Sequence, residues 1–126
     1  MPLDKAWQTF DPGAAKDIPP VTGVYELGDE EGNVLYIGYA GGREPFGIRG
    51  RIERHFSGEE ANPVIRERAC RYRYEVNAQY LTRHIERLTR HRDEHGRLPE
   101  GNEAPGEIVP RLGRFGPAGS VDRAGA

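Results

Sequence analysis

Cysteine is almost absent from this 126-residue chain, with Cys70 standing alone. A lone thiol excludes an intrachain disulfide framework and a cysteine-based zinc site. Lysine is nearly absent as well: Lys5 and Lys16 are the only two, so the positive charge is almost all arginine. No run approaches the roughly 18 consecutive apolar residues of a transmembrane helix. The N-terminal MPLDKAWQTF has no apolar signal core. A surplus of one charge is also missing, since 18 basic against 20 acidic residues leave a net of −2. Global charge therefore does not advertise a polyanionic partner. Hydrophobic residues make up only 36%, enough for one modest core. These absences predict a soluble, cytoplasmic, single-domain protein with no membrane contact.

Glycine and proline, by contrast, are plentiful, at 17 and 10 residues, and they punctuate the chain with irregular stretches. Charge is unevenly placed. Residues 1–42 carry two Lys against seven acids, whereas residues 43–97 carry 13 Arg against nine acids. That arginine block reads in two ways. It is a solvated helix surface with Arg–Glu pairs at helical spacing, or a set of planar forks for phosphate oxygens.

Residues 1–17 read as an irregular lead-in anchored by Trp7 and Phe10. The spacing predicts a strand over Val21–Leu27, a polar Gly-containing connection, and a very apolar strand over Val34–Tyr39. Together they form an antiparallel hairpin. Ile48, Ile52, His55 and Phe56 share one face of a predicted helix that Ser57-Gly58 ends. Asn62 caps a second short helix running to Cys70, with Pro63 at its first position. Arg71–Val76 alternates as a third strand, with Tyr72, Tyr74 and Val76 on one side and Arg71, Arg73 and Glu75 on the other. A long helix follows from Ala78 to about His95, with Leu81, Ile85 and Leu88 as its buried stripe and Gly96 as its stop. Residues 103–126 form a Gly/Pro-rich tail expected to be partly disordered. The class expected is α+β: a small three-stranded antiparallel sheet flanked by helices.

The hairpin carries Gly23-Val24-Tyr25 and then Tyr36-Ile37-Gly38. The next helix carries Ile48-Arg49-Gly50-Arg51-Ile52-Glu53-Arg54-His55-Phe56. With these motifs, residues 18–102 resemble the GIY-YIG nuclease superfamily. The resemblance implies a metal-dependent DNA endonuclease using Mg²⁺ or Mn²⁺, with Tyr25, Tyr36 and Arg51 catalytic. It implies a metal-binding glutamate on the long helix, for which Glu86 is the candidate. A register with Ile85 in the family's aliphatic slot instead puts Thr82 at the carboxylate position, and the glutamate is then missing. Pro99 and Asn102 stand where the family closes with a Pro and an Asn. Tyr39 departs from the basic or small polar residue that usually follows the second motif. Arg43, Arg49, Arg54, His55, Arg71 and Arg73 are the candidate nucleic-acid contacts.

The chemistry suits these residue types. Phosphodiester hydrolysis needs an activated water, positive charge on the phosphate and a stabilised leaving oxygen. A tyrosine ordinarily titrates near ~10 but drops beside a cation. An arginine donates two bonds to phosphate oxygens. A single carboxylate suffices for Mg²⁺, which keeps most of its waters. Tyr25 and Tyr36 also fit as ordinary strand aromatics. His84, His91 and His95 share a helical face, either as metal ligands or as a solvated surface. The alternative to an enzyme is a degenerate member of the same fold that binds nucleic acid or protein without cleaving it. The chain shows no separate DNA-reading module, so specificity would come from DNA structure or a protein partner.

Overall fold

Four strands form one antiparallel sheet in the order β1-β4-β2-β3 in the computed structural model, which describes residues 5–112. The strands are β1 (Gln8–Thr9), β2 (Gly23–Gly28), β3 (Val34–Ala40) and β4 (Arg71–Val76). Helix α1 spans Gly47–His55, α2 Pro63–Arg68 and α3 Tyr80–His95. The α+β class and the antiparallel hairpin are as expected, but the sheet has a fourth strand inside the lead-in. Gln8 and Thr9 pair with Tyr72 and Arg71. Two residues are too few to show an alternating pattern, so the sequence carries no periodic signal for β1. Trp7 seats its ring against the Arg73 guanidinium, 4.0 Å from the ring centre. Phe10 stacks on Phe56 with ring centroids 4.4 Å apart.

Central strand β2 pairs Tyr25 with Gly38 and with Tyr74, and Leu27 with Tyr36 and with Tyr72. Directly paired residues point to the same face, so these side chains line one side of the sheet. That side is covered by α1 and α2, and Ile48, Ile52 and Ile65 close the core there. The opposite side carries Val24, Glu26, Ile37 and Glu75. It is covered by α3, whose side chains reach Glu26, Glu75 and the Ile37 carbonyl.

Helix α3 buries only part of the stripe expected: Leu88 is buried and Ile85 half-buried, but Leu81 is turned out. Leu81 is 54% exposed, while Arg83, His84, Arg87, Leu88 and Thr89 are buried. The sheet face explains the rotation. Glu26 is fully buried mid-strand and takes Arg73 Nε at 2.8 Å together with the Arg87 guanidinium. Glu75 takes Arg83 at 2.9 and 3.0 Å. Two inward carboxylates draw in two arginines one helical turn apart, and leaving Glu75 without Arg83 and Glu26 with Arg73 alone would cost more than exposing Leu81. The helix starts at Tyr80 rather than Ala78, because the Asn77 side chain accepts the Gln79 N–H at 2.7 Å in a turn ahead of it. Helix α2 ends at Arg68, two residues early, and Cys70 donates its N–H to Gly28 O at 3.0 Å as the chain enters β4.

Edge strand β3 is closed by a side chain. Asn102 accepts the Ile37 N–H at 2.8 Å and donates to the Ile37 carbonyl at 2.9 Å, imitating a strand neighbour. Among the described residues, no helix is long and apolar enough to cross a membrane. Of the expected tail, residues 113–126 lie outside the described residues.

Candidate active site

Both motif glycines exist to let other groups come close. A Cβ on Gly38 would sit 2.4 Å from the Tyr25 ring, and one on Gly23 would sit 2.2 Å from the Glu75 carbonyl oxygen. Neither marks a bulge, since the register shift in this hairpin falls between Leu27 and Gly28. With Gly38 bare, the Tyr25 ring lies across β3 beside Tyr36, with centroids 6.3 Å apart. Arg51 and His55 are four residues apart on α1, so they share its sheet-facing side. The His55 ring packs 5.4 Å from Tyr25 and 5.3 Å from Tyr36.

Hydrogen bonds join these groups. Arg51 Nε donates to the Tyr25 hydroxyl at 3.3 Å, and that hydroxyl lies 2.6 Å from His55 Nε2. His55 Nδ1 lies 2.5 Å from Glu60 Oε1. Tyr36 donates its hydroxyl to Glu107 Oε1 at 3.1 Å. Asn62 ties the two carboxylates together. Its backbone N–H donates to Glu60 at 2.8 Å and its amide to Glu107 at 3.1 Å, while its carbonyl caps α2. A cleft of about 330 Å³ opens here, with Tyr36, Arg51, Arg54, His55, Glu60 and Glu107 in its lining. Tyr25 is wholly buried behind it.

The structure therefore brings Tyr25, Tyr36, Arg51 and His55 together and leaves Glu86 out. Glu86 lies on α3, across the sheet from both tyrosines, is 52% exposed, and pairs with Arg83 at 3.4 Å. Its helix covers the face that carries Glu26 and Glu75, so no side-chain rotation returns it to the cleft. Thr82 is exposed on the same helix and is no better placed. Glu75, on β4, is held by Arg83. The carboxylates that do line the cleft are Glu59, Glu60 and Glu107. Glu60 follows a Ser-Gly turn and Glu107 sits in the aperiodic tail. No motif spacing marks either one.

Several expected nucleic-acid contacts are occupied internally. Arg49 donates to the carbonyls of Ile18 and Lys16, at 2.8 and 2.7 Å. Arg73 serves Glu26 and stacks on Trp7. Arg54 pairs with Glu44, although its side chain is 61% exposed at the cleft mouth. Arg43 is exposed and Arg71 half-buried. His84 lies 3.0 Å from the Ile37 carbonyl and must donate to it, which makes it a structural residue. His91 and His95 lie against each other with tilted rings, centroids 4.2 Å apart. Among the described residues, no group of three His, Cys, Asp or Glu is placed to hold a metal ion.

Electrostatics follow from burial. Desolvation pushes Tyr25 up to about 12, against the pull of the Arg51 charge and hydrogen bond. Tyr36 is raised further, by burial first and then by the neighbouring Tyr25 and Glu107. Burial favours a neutral Arg51, but the tyrosines and Glu44 outweigh it and keep the guanidinium charged. Burial lowers His55 below its usual value, opposed by Glu60. Both tyrosines are thus neutral hydroxyls, the imidazole is neutral, and Arg51 is the fixed positive charge.

A family model matches residues 1–94, about three quarters of the chain, which includes Tyr25, Tyr36, Arg51, His55 and Glu60 but not Glu107. No curated protein matches the sequence. The chain belongs to the family described as a domain of unknown function, DUF7508.

Proposed function

We propose that this cleft binds and hydrolyses a DNA phosphodiester, as the motif resemblance to the GIY-YIG nucleases implies. The observation that carries the reading is the convergence of Tyr36, Arg51 and His55 on one cleft, with the Arg51 guanidinium tied from behind by Tyr25. Arg51 presents its terminal amines to phosphate oxygens, one of them shared with Glu44 at 3.9 Å, and there they would stabilise charge developing in the transition state. Tyr36 directs its hydroxyl at Glu107, so a proton leaving the attacking water has an oxygen-to-oxygen route toward a carboxylate.

The donor set fits a Mg²⁺ or Mn²⁺ ion held by one carboxylate and waters, with Glu107 in place of Glu86. Three carboxylates against two guanidiniums line the cleft, so a phosphodiester entering alone meets net repulsion. A divalent cation would reverse that balance and lower the Tyr36 hydroxyl toward ionisation. With the arginine block largely committed to internal partners, DNA contact falls to Arg43, Arg51 and Arg54. Affinity is then expected to fall with salt, with the modest slope of about three phosphate contacts. A protein partner or DNA structure would supply the specificity.

The position of Glu86 favours a second reading, a member of the fold that binds nucleic acid or protein without metal chemistry. Nicking of supercoiled DNA separates the two. Cleavage with Mg²⁺ or Mn²⁺, stopped by chelation and by Arg51→Ala, supports the enzyme. Inactivity on branched, single-stranded and duplex DNA with either metal supports the binding module.

A further inference from the structure

The hydrogen-bond line behind the cleft has only one consistent polarity. A guanidinium carries donors and no acceptor, so Arg51 Nε–H must donate to the Tyr25 oxygen. Tyr25 then has one proton to place, and its other contact is His55 Nε2, at 2.6 Å. Nε2 must therefore accept, which puts the single proton of a neutral imidazole on Nδ1. Nδ1–H faces Glu60 Oε1 at 2.5 Å, and a carboxylate is the acceptor that this arrangement requires. The second Glu60 oxygen accepts the Asn62 N–H at 2.8 Å, which fixes the carboxylate itself. The line starts and ends on cleft-lining residues, Arg51 and Glu60, and passes through Tyr25, which no solvent reaches.

We propose that Glu60 is a positioning residue that holds His55 in the Nδ1–H tautomer and, through Tyr25, sets the orientation of the Arg51 guanidinium. The role in turnover rests on the phosphodiesterase reading; the tautomer and the orientation do not. Tyr25 never touches substrate in this account. It is the spacer that transmits the orientation, and the line stands apart from the Tyr36–Glu107 pair on the cleft side. An Arg51 tied at Nε has lost one rotational freedom and presents its two terminal nitrogens, one of them 3.9 Å from Glu44.

Imidazole and guanidinium ¹⁵N NMR on the full chain is the test. In the wild type, His55 is expected as the Nδ1–H tautomer, with an Arg51 Nε–H resonance that exchanges slowly with water. In Glu60→Gln, a neutral side chain that also donates, His55 is expected to shift toward a tautomer mixture and the Arg51 Nε–H to exchange faster. Glu60→Asp should restore part of both signals. The cleavage kcat is expected to fall on the order of ten- to a hundredfold in Glu60→Gln, with KM little changed. A wild-type His55 found as Nε2–H overturns the proposal, as does a Glu60→Gln chain with tautomer and Arg51 exchange unchanged. If the wild type cleaves no DNA, the phosphodiesterase reading fails while the NMR signals still decide the role of Glu60.

Discussion

Arg51 is half-buried, because its Nε reaches back to the buried Tyr25 hydroxyl. Its removal therefore has two consequences of different size. Arg51→Ala is expected to lower cleavage a hundredfold or more by removing transition-state charge. It should cost stability about 1.5–3 kcal/mol, the value of one hydrogen bond from a charged group, with the fold retained, as read by urea unfolding. A catalytic loss accompanied by collapse of the fold would put Arg51 in the structure rather than the chemistry. Gly38 makes the complementary case. Any side chain there strikes the Tyr25 ring, so Gly38→Ala should displace Tyr25 and disorder the line to His55. The change should appear as lost activity together with a lowered melting temperature.

At the scale of elements, the hairpin, α1 and β4 were legible because each carries a strong local signal. The two glycine motifs, the i, i+4 aliphatics and the strict Arg/Tyr alternation are such signals. What was not legible was decided by tertiary electrostatics. A hydropathy stripe placed Leu81 inward, but the fully buried Glu26 called for Arg73 and Arg87, and the helix turned to supply them. The same rotation fixes where Glu86 points, so the position of Glu86 and the exposure of Leu81 have one cause. Glu107 lay beyond pattern reading altogether, since a contact 71 residues from Tyr36 leaves no periodic trace. Two variants test these elements by denaturant unfolding. Glu26→Gln leaves two arginines facing a neutral amide in a buried site and is expected to cost about 3–5 kcal/mol. Asn102→Ala strips the Ile37 backbone of its edge partner and is expected to cost roughly 1–3 kcal/mol. A near-neutral result for Glu26→Gln would mean that the cluster is not what orients α3.

Across the whole molecule, the arginine block is chiefly a scaffold of internal ion pairs, and the charge left at the cleft is acidic. The buried His55 and His84 and the half-buried His91 make stability depend on pH in a stated direction. Burial holds His55, His84 and His91 below the usual ~6.5. Between their lowered values and about 6.5, the unfolded chain binds more protons than the folded one. Stability should therefore rise with pH through that window and be lost as pH falls from about 6.5. Asp29 adds a second, more acidic loss. Burial raises it, but the Asn33 and Glu31 hydrogen bonds and the Arg68 charge outweigh that and lower its carboxyl. Its contribution is present above about 3.9 and disappears as pH falls through the lowered folded value. Urea midpoints should thus be lower at pH 5.5 than at pH 7.5, and a flat profile would show the histidines to be freely hydrated.

On the proposed reading, metal-dependent phosphodiester cleavage takes place in the cleft between α1 and the Glu107 segment, and not on the Glu86 face of α3. Plasmid nicking with Mn²⁺ by the wild type, Glu86→Gln and Glu107→Gln, compared side by side, tests it most directly. Glu86→Gln is expected to cut like the wild type, while Glu107→Gln remains folded and loses metal-dependent cutting a hundredfold or more. A Glu86→Gln chain that no longer cuts, beside a Glu107→Gln chain that cuts normally, would contradict it.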